Sequence, residues 1–396
     1  MQIIGRLSAV GAILVAMGVM TSTTPSPEAD ASRVVLTAGE EDIVIDIVRH
    51  GQRLAPYNEL VTPSPAYPGA PLSELGHQQA TDVGNQLFAE LGPVAGIFEG
   101  QGVREMQTAA PFAALENMTP QVLPGLDEID SGIFAGYPIH GPAGVFYQLP
   151  EFMWTLFGLE LFPMPGASQD PNGVVLDANF TGAIDTMYSD AIADPVVSNN
   201  GDITVVGFNS EASVTAWVLL NVKNPDIAFF LPRAIESLIN ANEYPLLPNG
   251  GVVEIEGNPT DGWTLVSWDG TPIPQNPGLL TELVVDVRNP VIVEQTATWD
   301  IFEAFLTADP TTFENAVVTG VENVAASLVQ LPLSIIDDIG AAIQNLVTDI
   351  GAAAVGDATA AISELGGAIP SLGTDLGAAA ASEAAAVAGD VVASLF

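Results

Sequence analysis

Cysteine is absent from the 396 residues, basic side chains number only 8, and histidines only 3. Without a thiol there is no disulfide framework, no thiolate nucleophile, no zinc ribbon and no cysteine-held iron–sulfur cluster. Eight cations against 48 acidic residues leave a formal net charge of -40. A chain of that sign repels a phosphate backbone, so nucleic acid is excluded as a partner. It also lacks the basic stripe that holds a protein on an anionic membrane surface. Charged residues are scarce at 14%, whereas hydrophobic residues reach 48%. The acid excess therefore does not imply disorder. The length allows a sizeable core, with room for two domains or for one domain and an appended segment.

The N-terminal segment, residues 1–31, reads as a secretory signal peptide. Arg6 is a minimal positive start, Leu7–Met20 is an apolar run, and Ala29-Asp30-Ala31 fits the small-x-small cleavage rule. The run falls short of the ~20 residues a bilayer-spanning helix needs, which counts against an uncleaved anchor. The expected location is outside the cell or in its envelope.

Strand-like and helix-like patterns alternate over residues 42–270. Asp42–Val48 is a β-branched run of the kind found in buried parallel strands. Leu75–Leu91 spaces its apolar residues helically behind Ser73 and Glu74. Gly96–Phe98 predicts a short strand, Arg104–Leu115 a helix, Ile203–Phe208 a buried strand and Ala212–Val222 a helix. Val252–Ile255 and Trp263–Trp268 predict paired strands. Such alternation predicts an α/β fold with helices on both faces of a sheet. Gly141–Pro165 interrupts the rhythm with Phe146, Tyr147, Phe152, Trp154, Phe157 and Phe162. Two readings of this insertion stand: it caps a pocket for an apolar substrate portion, or its aromatics simply pack it onto the body.

Pro272, Pro274 and Pro277 mark a linker over residues 271–281. Residues 282–396 then read as an acidic, Ala/Gly-rich helical region with one basic residue, Arg288. Val324–Ile336 and Ile339–Ile350 have helical spacing that Pro332 and acidic pairs are expected to break. Neither piece reaches spanning length. The tail is expected to pack on the body or on another envelope protein.

The strand at Asp42–Val48 runs directly into Arg49-His50-Gly51-Gln52-Arg53. Arg and His at a strand end, with Gly allowing close backbone approach, suit an anion site. Imidazole can accept a phosphoryl group while a guanidinium binds its oxygens bidentately. Arg49, Arg53 and Arg104 are three of the eight cations, so the rare positive charge gathers around this motif. It reads as a small positive pocket in a negative molecule.

Four blocks in order resemble the histidine phosphatase superfamily, first branch, the phosphoglycerate mutase-like group. Val48-Arg49-His50-Gly51 is similar to its signature, and Pro71–Ala80 to its "PLTELGxxQA" helix start. Arg104-Glu105-Met106-Gln107-Thr108-Ala109 resembles "RAxQTA", and Leu126–Gly132 resembles "LxExxxG". The resemblance implies a three-layer α/β phosphoglycerate mutase-like domain with a mostly parallel sheet over residues 42–270. It also implies a small phosphorylated substrate, and no metal or other cofactor. His50 would be the nucleophile and Glu128 the acid and base. Arg49, Arg53 and Arg104 would hold phosphate oxygens, and Asn58 would stand in for an Asn that the family places closer to the signature. Phosphatase is favoured over mutase, because an exported enzyme rarely meets glycolytic intermediates.

One block departs from the pattern. Where the family has a second His followed by Gly, this chain has Asn209-Ser210-Glu211. Ser210 can donate a hydrogen bond to phosphate but lacks an imidazolium's charge. Glu211 would repel a dianion unless it points into solvent. The expectation is an exported phosphomonoesterase of reduced activity, the alternative an inactive relative with a binding or structural role in the envelope. The strand–Ser210–helix element lacks the second Gly of a serine hydrolase's nucleophile elbow.

Overall fold

The computed structural model describes residues 41–62, 68–240 and 245–350. The expected signal peptide at 1–31 and the Gly351–Phe396 part of the tail lie outside the described residues. The chain order is β1 (Ile43–Arg49), α1 (Glu74–Leu91), β2 (Gly96–Glu99), α2 (Val103–Glu116), β3 (Gln121–Val122), α3 (Pro142–Phe157) and α4 (Gly173–Ala193). It continues with β4 (Thr204–Asn209), α5 (Glu211–Asn221), α6 (Ile227–Asn240), β5 (Val252–Asn258), β6 (Gly262–Trp268) and β7 (Thr271–Pro272). Two long helices, α7 (Leu279–Leu306) and α8 (Pro310–Ile350), follow.

The strands form one sheet in the order β3-β2-β4-β1-β5-β6-β7. From β3 to β1 every pairing is parallel. β5 runs antiparallel to β1, and β6 reverses again. β1 is central and its first six residues are buried on both faces, which is why it is a continuous apolar run interrupted only by Asp46. Side chains alternate across the sheet. Val206 and Phe208 of β4 join Val48, Ile97 and the α1–α2 residues Val83, Leu87 and Phe112 in one core. On the opposite face Gly207 leaves room for Met187 of α4, where a Cβ would lie 3.1 Å from its methyl. A second core gathers Tyr147 and Trp154 of α3, Leu176 of α4 and Ala216 of α5. Helices thus cover both faces, the three-layer α/β arrangement expected.

Proline misleads along this chain. Pro111, Pro150, Pro232, Pro290 and Pro332 all sit inside helices. A proline costs an isolated helix ~3 kcal/mol, and burial of a helix face offsets that cost. The break expected at Pro332 does not occur: α8 runs on as 41 residues, packed along α7. Its Pro310–Ala342 stretch is long and apolar enough to cross a membrane by length and composition alone, which corrects the expectation from the two shorter pieces. Arg288 of α7 is buried, and its Nη1 donates to the Thr155 carbonyl at 2.5 Å. Leu161 N likewise donates to Gln295 Oε1 at 2.7 Å. α7 is therefore tied to the α3 insertion.

The loop after β1 is pressed onto the start of α1. A Cβ on Gly51 would lie 2.5 Å from the Gly76 carbonyl oxygen, and one on Gly76 would lie 2.2 Å from that of Gln52. Real Cβ atoms do not approach backbone that closely, so both positions require glycine. Gly76→Ala is expected to destabilise the fold by about 1–3 kcal/mol, the usual range for overpacking. A urea midpoint within 0.5 kcal/mol-equivalent of the parent's, roughly the scatter of neutral surface changes, would contradict the close packing.

Candidate active site

β1 and β4 are parallel neighbours with Arg49 opposite Asn209. The two chains therefore deliver His50 and Ser210 side by side at the carboxyl edge of the sheet, where open α/β sheets bind ligands. The His50 N–H donates to the Asn209 carbonyl at 2.9 Å, and Asn249 Nδ2 donates to the His50 carbonyl at 2.9 Å.

Several motif residues act as clamps on this loop. Thr108 Oγ1 accepts from Gly51 N at 3.0 Å and donates to the Arg104 carbonyl at 2.7 Å. Gln79 Oε1 accepts from Gln52 N at 2.8 Å. Ser73 Oγ donates to Gln52 Oε1 at 2.9 Å while capping α1 through Gly76 N at 3.0 Å. Gln107 Oε1 accepts from Leu72 N at 2.8 Å. The blocks read around residues 50, 75 and 105 are thus stitched together.

His50 is 4% exposed. Its Nδ1 lies 2.8 Å from the Gly51 carbonyl oxygen, which can only accept, so Nδ1 carries the proton and Nε2 keeps its lone pair. Burial, reinforced by Arg104 and Arg49, holds its pKa well below the ordinary 6.5. The imidazole is neutral, as a nucleophile needs. Glu128 is buried, its Oε1 accepts from Ile129 N at 2.9 Å, and burial raises its pKa against the pull of Arg104. Arg53 donates to Thr62 Oγ1 and to the Leu60 carbonyl, both at 2.9 Å. Its burial lowers its pKa to about 10.

A cavity of about 150 Å³ opens on this edge. Arg49, His50, Arg53, Asn58 and Glu128 line it, and Asn58 Oδ1 is buried without a partner. Arg104 and Ser210 are close by, fully buried, and outside the lining. They form a closed group with a residue that sequence reading overlooked: Arg104 Nη2 donates to Ser210 Oγ at 2.9 Å, and Ser210 Oγ donates to Glu105 Oε1 at 2.8 Å. Arg104 and Glu105 pair at 2.9 Å. Arg104 Nε and Nη1 remain buried without partners.

Glu211 neither points into solvent nor stands unpaired. Its Oε2 pairs with Arg49 Nη1 at 2.6 Å, and its Oε1 accepts from Leu247 N at 3.1 Å. Glu151 of α3 also lines the cavity, and burial beside Glu211 and Glu128 raises its pKa well above the usual carboxylate range. The positive pocket expected from the sequence is corrected accordingly: two arginines and three carboxyls face the cavity. Both readings of the insertion hold in part. Tyr147 and Phe152 line the cavity, Trp154 fills the core, and Phe146 and Phe157 are exposed. Also overlooked was the wall built by α6, including Phe230 and Leu231. Its i, i+3, i+4, i+7 pattern at Ile227, Phe230, Leu231 and Ala234 was a legible signal, obscured by Pro232. His77 and His140 are exposed.

Residues 45–155 match the model of the histidine phosphatase superfamily, branch 1. The chain is 44% identical over 302 residues to the PE-PGRS family protein PE_PGRS11 of Mycobacterium tuberculosis, covering 76% of this chain and 48% of that protein. It thus spans about half the length of this curated relative. Among solved structures it is similar to a mycobacterial glucosyl-3-phosphoglycerate phosphatase, at 16% identity and TM-score 0.41 over 58% of this chain and 100% of the other. It is also similar to a phosphoglycerate mutase from Bacillus anthracis, at 15% identity and TM-score 0.40 over 63% and 97%.

Proposed function

We propose that this chain is an exported phosphomonoesterase that works through a phosphohistidine at His50, with turnover held down by the Ser210 replacement. The residues at 42–270 carry the chemistry, and the helical region that follows is an addition to it. The observation that carries the reading is His50 itself: buried, neutral, its Nδ1 proton directed at the Gly51 carbonyl and its Nε2 left to attack. Nε2 forms a bond to phosphorus as the bond to the ester oxygen breaks. Glu128, whose pKa burial raises, gives that oxygen its proton. Water then attacks the phosphohistidine, its proton passes to the Glu128 carboxylate, and phosphate leaves. Arg49 and Arg53 face the cavity where charge collects on the transferring oxygens. The test is a rapid-mixing assay on an aryl phosphate with acid quench. A burst of phenol and a stoichiometric phosphoenzyme are expected. Steady release of phenol without either would refute the covalent route.

A second reading, a non-catalytic envelope protein that retains the fold, has its own support. Arg49 and Arg104 are already paired with Glu211 and Glu105, so incoming phosphate competes with a carboxylate for each. Glu211→Gln tests whether that competition occurs at Arg49. Freed of its partner, Arg49 is expected to bind inorganic phosphate about tenfold more tightly, the equivalent of one charge-assisted contact of roughly 1.4 kcal/mol. Isothermal titration reads the change. An unaltered affinity would mean that Arg49 does not contact the ligand.

A further inference from the structure

The cavity also restricts what the phosphoryl group is attached to. Its polar side comes from the end of β1 and the loop through Thr62, its other walls from α3, α5, α6 and Leu246. Those walls present Phe152, Leu156, Leu219, Phe230, Leu231 and Leu246, interspersed with polar residues such as Gln148, Thr215 and Ser237. Among the described residues Arg49 and Arg53 are the only cations in the lining, and in the proposed reaction the phosphoryl group claims both. The other cations among the described residues are engaged or placed elsewhere. Arg104 is buried outside the lining, Arg288 is buried against Thr155, and Arg233 stacks on Phe229 at 3.6 Å. Lys223 is outside the lining as well. A second anionic group on the substrate would find no further cation among the described lining residues, only neutral donors such as Gln148 and Ser237, and would share the cavity with Glu128, Glu151 and Glu211. A charge taken out of water without a partner is strongly disfavoured. The volume of about 150 Å³ must hold the phosphoryl group as well, which leaves room for a small alcohol portion only.

Resting on the phosphohistidine reading of this same site, we propose that the substrate is the phosphate monoester of a small apolar alcohol, aryl or short alkyl. Phosphorylated acids such as phosphoglycerate are excluded from the site. The discrimination has two physical parts: apolar contact with α3 and α6, and the lack of a further cation among the described lining residues for a carboxylate.

The experiment uses the full chain with phenyl phosphate, glycerol 3-phosphate and 3-phosphoglycerate. Phenyl phosphate is expected to exceed 3-phosphoglycerate in kcat/KM by about 100-fold or more, and glycerol phosphate by about tenfold, the scale on which apolar pockets discriminate. Leu231→Arg, at a position 38% exposed and so tolerant of a charge, is expected to narrow the gap to 3-phosphoglycerate at least tenfold. Phe152→Arg provides a second placement of the cation should α6 shift. His50→Ala protein, which forms no phosphoenzyme, is expected to bind phenyl phosphate at least about tenfold more tightly than 3-phosphoglycerate by calorimetry. Comparable kcat/KM for the two esters, with a phosphoenzyme formed from each, overturns the substrate assignment and leaves the covalent route standing. The binding preference without any phosphoenzyme overturns the covalent route and supports the assignment. Equal binding in His50→Ala counts against the assignment whatever the turnover.

Discussion

Replacing His50 with Ala is expected to lower aryl phosphate turnover by at least about 10³-fold and to abolish the acid-quenched phosphoenzyme. Removing a covalent nucleophile costs that much or more where the remaining site supplies binding and charge alone. The local geometry makes the effect specific. The only other histidines, His77 and His140, are exposed and do not line the cavity, so neither can substitute. The Gly51 carbonyl fixes which ring nitrogen attacks, and burial, reinforced by Arg104 and Arg49, holds the ring's pKa down. Because the ring is neutral, its loss strands no counter-charge, and stability is expected to hold within about 1–2 kcal/mol. Circular dichroism and a urea curve check the fold alongside the rate. Equal turnover by the two proteins would remove the enzyme reading altogether.

Arg104→Ala is expected to produce the largest loss of stability, about 3–5 kcal/mol, because it leaves a buried carboxylate without its counter-charge. Glu105 is 0% exposed and Arg104 1%. The Ser210 hydroxyl, spanning the two, cannot neutralise a full charge. Adding Glu105→Gln to Arg104→Ala removes that charge and is expected to recover most of the stability but none of the activity. The split follows from two roles for one guanidinium: Nη2 is committed to Glu105 and Ser210, whereas Nε and Nη1 are buried with nothing to donate to. Urea unfolding of the single and double variants measures the coupling. A single-variant loss below about 1 kcal/mol would mean that water reaches the pair.

Much of this arrangement was legible before any coordinates. Ile43–Arg49 is a strand because it is β-branched and buried on both faces, and the residue that follows a central parallel strand necessarily reaches the sheet's carboxyl edge. Ser73 announced the start of α1, where it accepts from Gly76 N. The glycines at 51 and 76 were visible as motif letters, but their meaning, two backbones in contact across 25 positions, was not. Helices at α3, α6 and α8 were misread or overlooked because proline is a local signal, whereas the burial that outweighs it is not local.

The charge of the site belongs wholly to the second category. Counting cations near one motif suggested a positive pocket, since the count cannot say which glutamates return to the same place. Glu105 reaches Ser210 across 105 positions, and Glu151 and Glu211 face one cavity from α3 and α5. The family resemblance, the nucleophile candidate and the layered sheet are legible in the chain alone, because they follow from contiguous residues and from the order of the strands. That Arg49 and Arg104 are already paired, and that leucines and phenylalanines from α3, α5 and α6 share the cavity with three carboxyls, emerges only in the fold. Ion pairing and cavity lining are properties of distance in space, and the folded sheet edge is what brings those side chains within reach of one another.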